Sequence, residues 1–310
     1  MIEAVELSKH YGKIHAVKNI GLFIEEGELV GLLGPNGAGK STTISMISSL
    51  VKPSGGDVII DGHSVSRNPE RIRPLLGVVP QEIALFMDLT ARENLAFFGR
   101  AYKLSGERLR NRIDETLETI GLAGRSREPV SGFSGGMKRR LNIAVALLHQ
   151  PRILIMDEPT VGIDPQSRNH ILETVRRLNR EQGMTVIYTS HYMEEVEFLC
   201  DRVYIMDHGD ILANGSREEL TGILTQEDTL HLTVDSFPER FKQALEGLES
   251  VHSLSLHEQT VTVVARRDKR LLESLFSMAH VHGVQLQGVQ VVSPSLEDVF
   301  LHLTGRSLRD

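Results

Sequence analysis

The sequence predicts an α/β fold in two parts, the larger built on a parallel sheet with helices on both faces. Three observations predict it. Short apolar runs at 28–33, 152–156 and 185–189 alternate with segments of helical period. Glycine-rich turns stand where these runs end and helices begin. After about Thr221 the glycine motifs disappear and the elements shorten.

Residues 5–7 and 20–24 read as strands, and 28–33 is an apolar run that stops at glycine, as a buried strand should. A helix is expected from Lys40 to about Leu50, closed by Lys52-Pro53. Strands follow at 57–60 and 77–79. Residues 89–148 are mostly helical, with the period over Ala91–Ala101 and 108–120, punctuated by Gly121 and Gly124. The runs at 152–156 and 185–189 are again strands. Strands separated by helices indicate a parallel sheet covered on both faces. The second part reads as strand 230–234, helix 238–248, strands 251–256 and 260–265, helix 269–281 and strand 284–292. That is β-α-β-β-α-β, the ferredoxin-like order. A short helix at 296–303 follows. The division is expected near 221–228.

A length of 310 residues favours about two domains. Hydrophobic residues at 40% and charged residues at 24% are ordinary for globular proteins. The net charge of -7 excludes a surface built as a whole to grip a phosphate backbone, so no nucleic-acid partner is expected. The single cysteine, Cys200, cannot form an internal disulfide and fits a reducing cytoplasm. Glu3 and Glu6 stand where a signal peptide needs bases and an apolar run. The longest apolar stretches, such as 143–148, are far short of the ~20 residues that span a bilayer. The expectation is a soluble chain that can still dock on a membrane protein.

Gly34-Pro35-Asn36-Gly37-Ala38-Gly39-Lys40-Ser41-Thr42 matches the P-loop pattern, between a predicted strand and a predicted helix. Glycines let successive N–H groups face inward around phosphate oxygens. The following helix N-terminus favours anions. Lys40 adds a point charge for the β and γ phosphates, and the Ser41 hydroxyl suits Mg²⁺. The expected ligands are therefore ATP and Mg²⁺.

Ile153-Leu154-Ile155-Met156-Asp157-Glu158-Pro159 is a buried strand that ends in two carboxylates. Burial there is costly unless a cation or bound ligand compensates. Asp157 is expected to hold Mg²⁺, directly or through water. Glu158 is expected to take the proton of the attacking water, a contribution of about 10²–10⁴ in rate. Taken alone, the pair also fits a solvated Asp-Glu turn.

Phe133-Ser134-Gly135-Gly136-Met137 stands about twenty residues before that acidic strand. With it the chain resembles the ATP-binding subunits of ABC transporters over at least residues 1–220. The resemblance implies a P-loop NTPase fold with an ABC-type helical subdomain at about 83–148. It implies an ATP-binding domain over 1–222 and an accessory α+β domain over 223–310. Ser134, Gly135 and Gly136 have a rationale of their own, since a hydroxyl and bare N–H groups at a helix start form an anion site. A simple helix cap is the other reading. The resemblance implies that this site binds the γ-phosphate held by a second ATPase subunit, so that two copies sandwich two ATP molecules.

Phe133 and Met137 depart from the commonest signature, and this form resembles the daunorubicin-resistance type of exporter ATPases. Lys138, Arg139 and Arg140 next to it either assist phosphate or form a solvated face. The resemblance matches Gln81 to the Gln loop, near the Mg²⁺ shell or the water. It matches His191 to the switch histidine that reaches the γ-phosphate, and Gly162-Ile163-Asp164 to the D-loop at the dimer interface. Asp164 also suits a helix N-cap, and both roles are compatible. Tyr11 either stacks on adenine or is a surface tyrosine in a hairpin.

Leu85, Phe86, Leu95, Phe97 and Phe98 follow Gln81, where the resemblance implies docking of a polytopic membrane permease subunit; for Phe97 and Phe98, core packing is the other reading. The tail from Pro294 to Gly305 also resembles the daunorubicin-resistance type. The implied function is ATP hydrolysis that powers export of drugs, antibiotics or lipids, peripheral on the inner face of the cell membrane. A soluble ABC ATPase of translation or DNA repair is the alternative. Such relatives usually carry two cassettes or a long coiled coil, and this chain has one P-loop and no sustained heptad. An importer ATPase and a nucleotide sensor without turnover are the remaining readings. The signature variant and tail argue against the first, and Glu158 with His191 against the second.

Overall fold

A computed structural model describes residues 1–224, 227–257, 260–266, 271–292 and 294–304. Thr225 and Gln226 at the expected division, Lys269 at the expected helix start and Gly305 of the closing motif lie outside the described residues. The chain divides between Arg217 and Glu218 into two compact units.

The first unit opens with the hairpin β1 (Ile2–Tyr11) and β2 (Ile14–Ile24), then β3 (Leu29–Leu33) and α1 (Lys40–Ile47). β4 (Gly55–Ile60), β5 (His63–Ser64), α2 (Pro69–Ile72) and β6 (Leu76–Val79) follow. A helical lobe holds α3 (Ala91–Ala101), α4 (Gly106–Thr119) and α5 (Gly135–Leu147). The chain returns through β7 (Ile153–Asp157), α6 (Pro165–Gln182), β8 (Thr185–Ser190), α7 (Met193–Leu199), β9 (Arg202–Asp207) and β10 (Asp210–Gly215). The short α8 (Arg217–Thr221) spans the division.

The expected parallel sheet is present, in the order β10-β9-β3-β8-β7-β6, with β10 as an antiparallel edge. The strands expected at 5–7, 20–24 and 57–60 do not join it. β1, β2, β4 and β5 form a separate antiparallel sheet, β2-β1-β4-β5. One apolar layer, including Leu7, Ile24, Ile47, Ile60 and Ile155, joins it to α1 and the parallel sheet. The opposite face of the parallel sheet packs Leu154, Met156 and Tyr188 against Ile171 and Val175 of α6. The lobe has its own core around Leu95, Ile113, Leu117, Val130 and Leu141. α3 is started by a capping box between Thr90 and Glu93.

Parallel register places the ends of the central strands side by side. Leu33 pairs with Ser190, Asp157 with Thr189, and Val79 with Met156. The loops that leave these strands therefore emerge at one edge, where open α/β sheets bind ligands.

The second unit contains β11 (Glu227–Val234), α9 (Glu239–Glu246), β12 (Val251–His257), β13 (Thr260–Arg266), α10 (Leu271–Val281), β14 (Leu286–Val292) and α11 (Leu296–Thr304). Its sheet order is β12-β13-β11-β14, and every neighbouring pair is antiparallel. This is the β-α-β-β-α-β arrangement expected from the sequence. Phe241, Leu245, Leu271 and Leu275 fill the core between sheet and helices. Among the described residues, no helix is long and apolar enough to cross a membrane.

Candidate active site

The site begins where β3 ends. All five residues of β3 are buried, and the chain turns at Gly34 into the loop that leads to α1. Gly39 holds φ at +105°, and a Cβ there would stand 2.6 Å from the Ala16 carbonyl oxygen. Only glycine meets both conditions. Lys40 opens α1 and turns back across the loop. Its ammonium donates to the carbonyls of Gly34 (2.7 Å) and Pro35 (3.1 Å) and lies 3.0 Å from Glu158 Oε1.

β7 delivers the two carboxylates. Asp157 Oδ1 accepts from Ser41 Oγ at 3.1 Å and from Thr189 Oγ1 at 2.8 Å. Glu158 is 5% exposed and takes φ of +42°, an unusual backbone for a residue with a side chain. Its N–H donates to Thr189 Oγ1 at 2.9 Å, which helps to hold that conformation. Gln81 Nε2 lies 3.5 Å from Glu158 Oε2, and His191 Nδ1 lies 3.3 Å from the same oxygen. Lys40, Gln81 and His191 thus converge on one buried carboxylate.

A cavity of about 810 Å³ opens over the loop, lined by residues from Pro35 to Thr42, by Gln81 and by Glu158. The β1–β2 hairpin forms its other wall. Tyr11, half exposed at 48%, is at once a hairpin residue and a lining residue. Lys13, Ile14, His15, Ala16 and Lys18 from that hairpin, and His208 from the β9–β10 turn, complete the lining. Sequence reasoning stopped at Tyr11 and missed these six. The Gly12-Lys13 turn directly after Tyr11 was the available signal.

Ser134, Gly135, Gly136 and Asp164 do not line this cavity. Ser134 is the N-cap of α5 and its hydroxyl accepts from Met137 N at 3.3 Å. Asp164 is the N-cap of α6, accepting from Ser167 N at 2.9 Å, and this bond holds its carboxyl below the usual range. The two caps meet at Gly136, where a Cβ would fall 2.1 Å from Ser167 Oγ. Neither reading of the three basic residues after Met137 describes Arg139 and Arg140. Arg139 is buried and donates to the carbonyls of Pro80 and Gln81; Arg140 donates to the carbonyl of Ile120. Burial lowers the pKa of both guanidinium groups.

The residues flagged for docking separate into two sets. Leu95 is fully buried, and Leu85 and Phe98 pack against the lobe core. Phe86 and Phe97 are exposed and stack edge to face with ring centroids 4.7 Å apart.

Beneath the site is a buried polar cluster that the sequence did not reveal. Glu195 of α7, 3% exposed, accepts from the hydroxyls of Thr160, Tyr188 and Ser190. Burial and the adjacent Glu195 carboxylate push the Tyr188 hydroxyl well above its ordinary pKa.

The model of the ABC transporter family matches residues 17–161, which include the loop, the signature segment and both carboxylates. The linearmycin resistance ATP-binding protein LnrL of Bacillus subtilis (strain 168) is 49% identical over 100% of both chains. The daunorubicin resistance ATP-binding protein DrrA3 of Streptomyces coeruleorubidus is 36% identical, over 97% of this chain and 95% of its own. A dimeric post-hydrolysis structure of the ATP-binding cassette MJ0796, bound to ADP and Pi, superposes with a TM-score of 0.64 at 32% identity. It covers 70% of this chain and 98% of that one. The chain belongs to the ATP-binding proteins of the ABC transporter family, and its chemistry is the hydrolysis of ATP.

Proposed function

We propose that the chain works as an ATP-sandwich dimer that powers export through a separate polytopic membrane permease. The observation that carries the reading is the meeting of Lys40, Gln81 and His191 on Glu158, at the mouth of a loop suited to phosphate. The loop from Gly34 to Gly39, through the backbone N–H groups of its residues other than Pro35, cradles the triphosphate together with Lys40, Ser41 and Thr42, and Tyr11 stacks on adenine. Water attacks the γ-phosphorus, Glu158 takes its proton, and the bond to ADP breaks. Gln81 orients that water, and His191 donates to the γ-phosphate. Ser134, Gly135 and Gly136 of the second copy close over the same phosphate, and Asp164 lies along the dimer interface. The solved dimer bound to ADP and Pi supports this arrangement.

The hydroxyl of Ser41 and the carboxylate of Asp157 are 3.1 Å apart, and Gln81 adds an amide oxygen. Such hard oxygen donors fit Mg²⁺. Bound there, the ion would neutralise phosphate charge. The same reading assigns residues 1–222 to ATP binding, with 83–148 as helical subdomain, and 223–310 to an accessory domain. Export of drugs, antibiotics or lipids is supported by relatives matched end to end and named for resistance to linearmycin and daunorubicin. The exposed pair Phe86 and Phe97 suits the permease contact at the inner face of the membrane.

The test uses purified Glu158→Gln. It should bind ATP, collect as a dimer on size exclusion, and lose turnover by about 10²-fold or more. Undiminished hydrolysis would remove Glu158 from its role. Co-purification from membranes should recover a protein of about six spans, whereas recovery with ribosomes or DNA would redirect the assignment.

A further inference from the structure

We propose that Arg139 is a positioning residue that ties Gln81 to α5, so that the helix carrying Ser134 and the amide facing Glu158 move as one. The inference rests on the ATP-sandwich reading above and adds to it the part that links the two ends of the lobe.

The chain leaving β6 is held by side chains of the helical lobe. Arg139, 4% exposed, donates Nη1 to the Pro80 carbonyl at 2.7 Å and Nη2 to the Gln81 carbonyl at 2.5 Å. Three residues later, on the same face of α5, the Asn142 amide oxygen accepts from Ala84 N at 3.3 Å. Asn94 of α3, fully buried, accepts from Phe86 N at 2.8 Å and donates to the Phe86 carbonyl at 2.9 Å. The backbone from Pro80 to Phe86 is thus fastened along its length to α3 and α5. Arg139 Nε is buried with no hydrogen-bond partner, so the two carbonyls take the hydrogen bonds that the group makes. The Gln81 side chain leaves this strap and reaches Glu158.

The consequence is mechanical. Ser134 caps the first turn of α5, and Arg139 is on its second. A helix shifts as a unit, so a displacement at Ser134 reaches the Gln81 carbonyl through two parallel hydrogen bonds. A planar guanidinium holds two carbonyls in fixed geometry, and an ammonium on a flexible stem does not. Arg139 therefore lets the closure of the signature end set the position of Gln81 against the catalytic carboxylate.

The test compares wild type, Arg139→Lys and Asn142→Ala as full-length chains. Arg139→Lys should keep cooperative melting and a KM for Mg-ATP within about twofold, while kcat falls about tenfold or more; Asn142→Ala should show a smaller fall of the same kind. A purely structural role would lower the melting temperature without this split. A well-folded Arg139→Lys with wild-type kcat would overturn the proposal. Hydrogen exchange on the wild type covers a variant that does not fold. Amides of 81–84 and of 135–138 should gain protection together when Mg-ATP is added, and protection of one segment alone would overturn the coupling. If wild type itself hydrolyses no ATP, the functional reading falls, while the exchange measurement still decides the clamp.

Discussion

Lys40 Nζ lies 3.0 Å from Glu158 Oε1, and both side chains are buried, at 4% and 5% exposure. Each charge compensates the other in a place where either alone would be costly. On the reading proposed above, a triphosphate would change this balance. Its γ oxygens would compete for Lys40 and leave Glu158 to face the attacking water. The ion pair would then hold the base in place before nucleotide arrives and release it when the substrate supplies its own charge.

Removing one partner should therefore cost more than removing both. Lys40→Ala leaves a buried carboxylate without its cation, and the nucleotide-free chain should lose about 3–5 kcal/mol. Lys40→Ala combined with Glu158→Gln should lose less than the sum of those two single changes. Denaturant unfolding of the four proteins measures the coupling, and strict additivity would show that the pair is not coupled. Lys40→Ala should also weaken ATP binding by about 1.5–3 kcal/mol, read with a fluorescent analogue.

Gly136 sets the approach of α5 to α6. A methyl at Gly136 would collide with the Cβ of Ser167 as well as its hydroxyl, at 2.4 Å and 2.1 Å. Gly135→Ala would meet only Ile163 Cδ1 at 3.8 Å, an ordinary contact. Gly136→Ala should cost about 1–3 kcal/mol through overpacking, and Gly135→Ala much less. Thermal melting of the two variants separates them; equal melting temperatures would mean that α6 yields freely.

His149 should make stability depend on pH. Its ring stacks on Tyr102 with centroids 3.9 Å apart, and Nε2 lies 2.9 Å from the Leu76 carbonyl. Nδ1 is buried without a partner, so protonation would add a charge with no acceptor. Burial depresses the pKa, opposed by the Leu76 carbonyl and assisted by Arg112. The unfolded chain then binds the proton more readily than the folded one. The contribution is fully present above the ordinary imidazole value near about 6.5 and is lost as pH falls through the lower folded value. Unfolding free energy should drop between about pH 7 and pH 5 by less in His149→Gln than in wild type. Identical slopes would remove His149 as the cause.

What was legible in the sequence was local. The loop from Gly34 to Thr42 and the strand ending at Asp157-Glu158 are contiguous, so composition and order reveal them directly. The second unit was legible for the same reason, since its strands and helices alternate with the period of each. Sheet membership was not legible. β1, β2 and β4 have the apolar pattern of any half-buried strand, and only long-range pairing assigns them to a separate antiparallel sheet. Arg139 was misread on similar grounds. Three adjacent bases suggest solvent or phosphate, and the carbonyls that satisfy this guanidinium lie 58 and 59 positions away. Glu195 gave no signal, because its partners come from β8, from Ser190 at the end of that strand, and from the loop after β7.

Glu195 supplies the remaining prediction. Its carboxylate gathers the hydroxyls of Thr160, Tyr188 and Ser190, and Arg168 Nε stands 3.3 Å from Oε1. Thr160 follows Glu158 by two residues, and Ser190 precedes His191. The cluster therefore joins the chain segments that carry both groups. Ser190 Oγ also accepts from Tyr192 N at 2.9 Å, so the turn that presents His191 is fixed on each side. Glu195→Ala would leave buried hydroxyls without an acceptor and should cost about 3 kcal/mol. Glu195→Gln keeps the shape and one acceptor oxygen, so it should cost less while still loosening His191. Turnover should then fall in Glu195→Gln with ATP affinity nearly unchanged, because the P-loop contacts are untouched. Loss of affinity equal to the loss of turnover would show that the cluster supports the whole fold rather than the turn at His191.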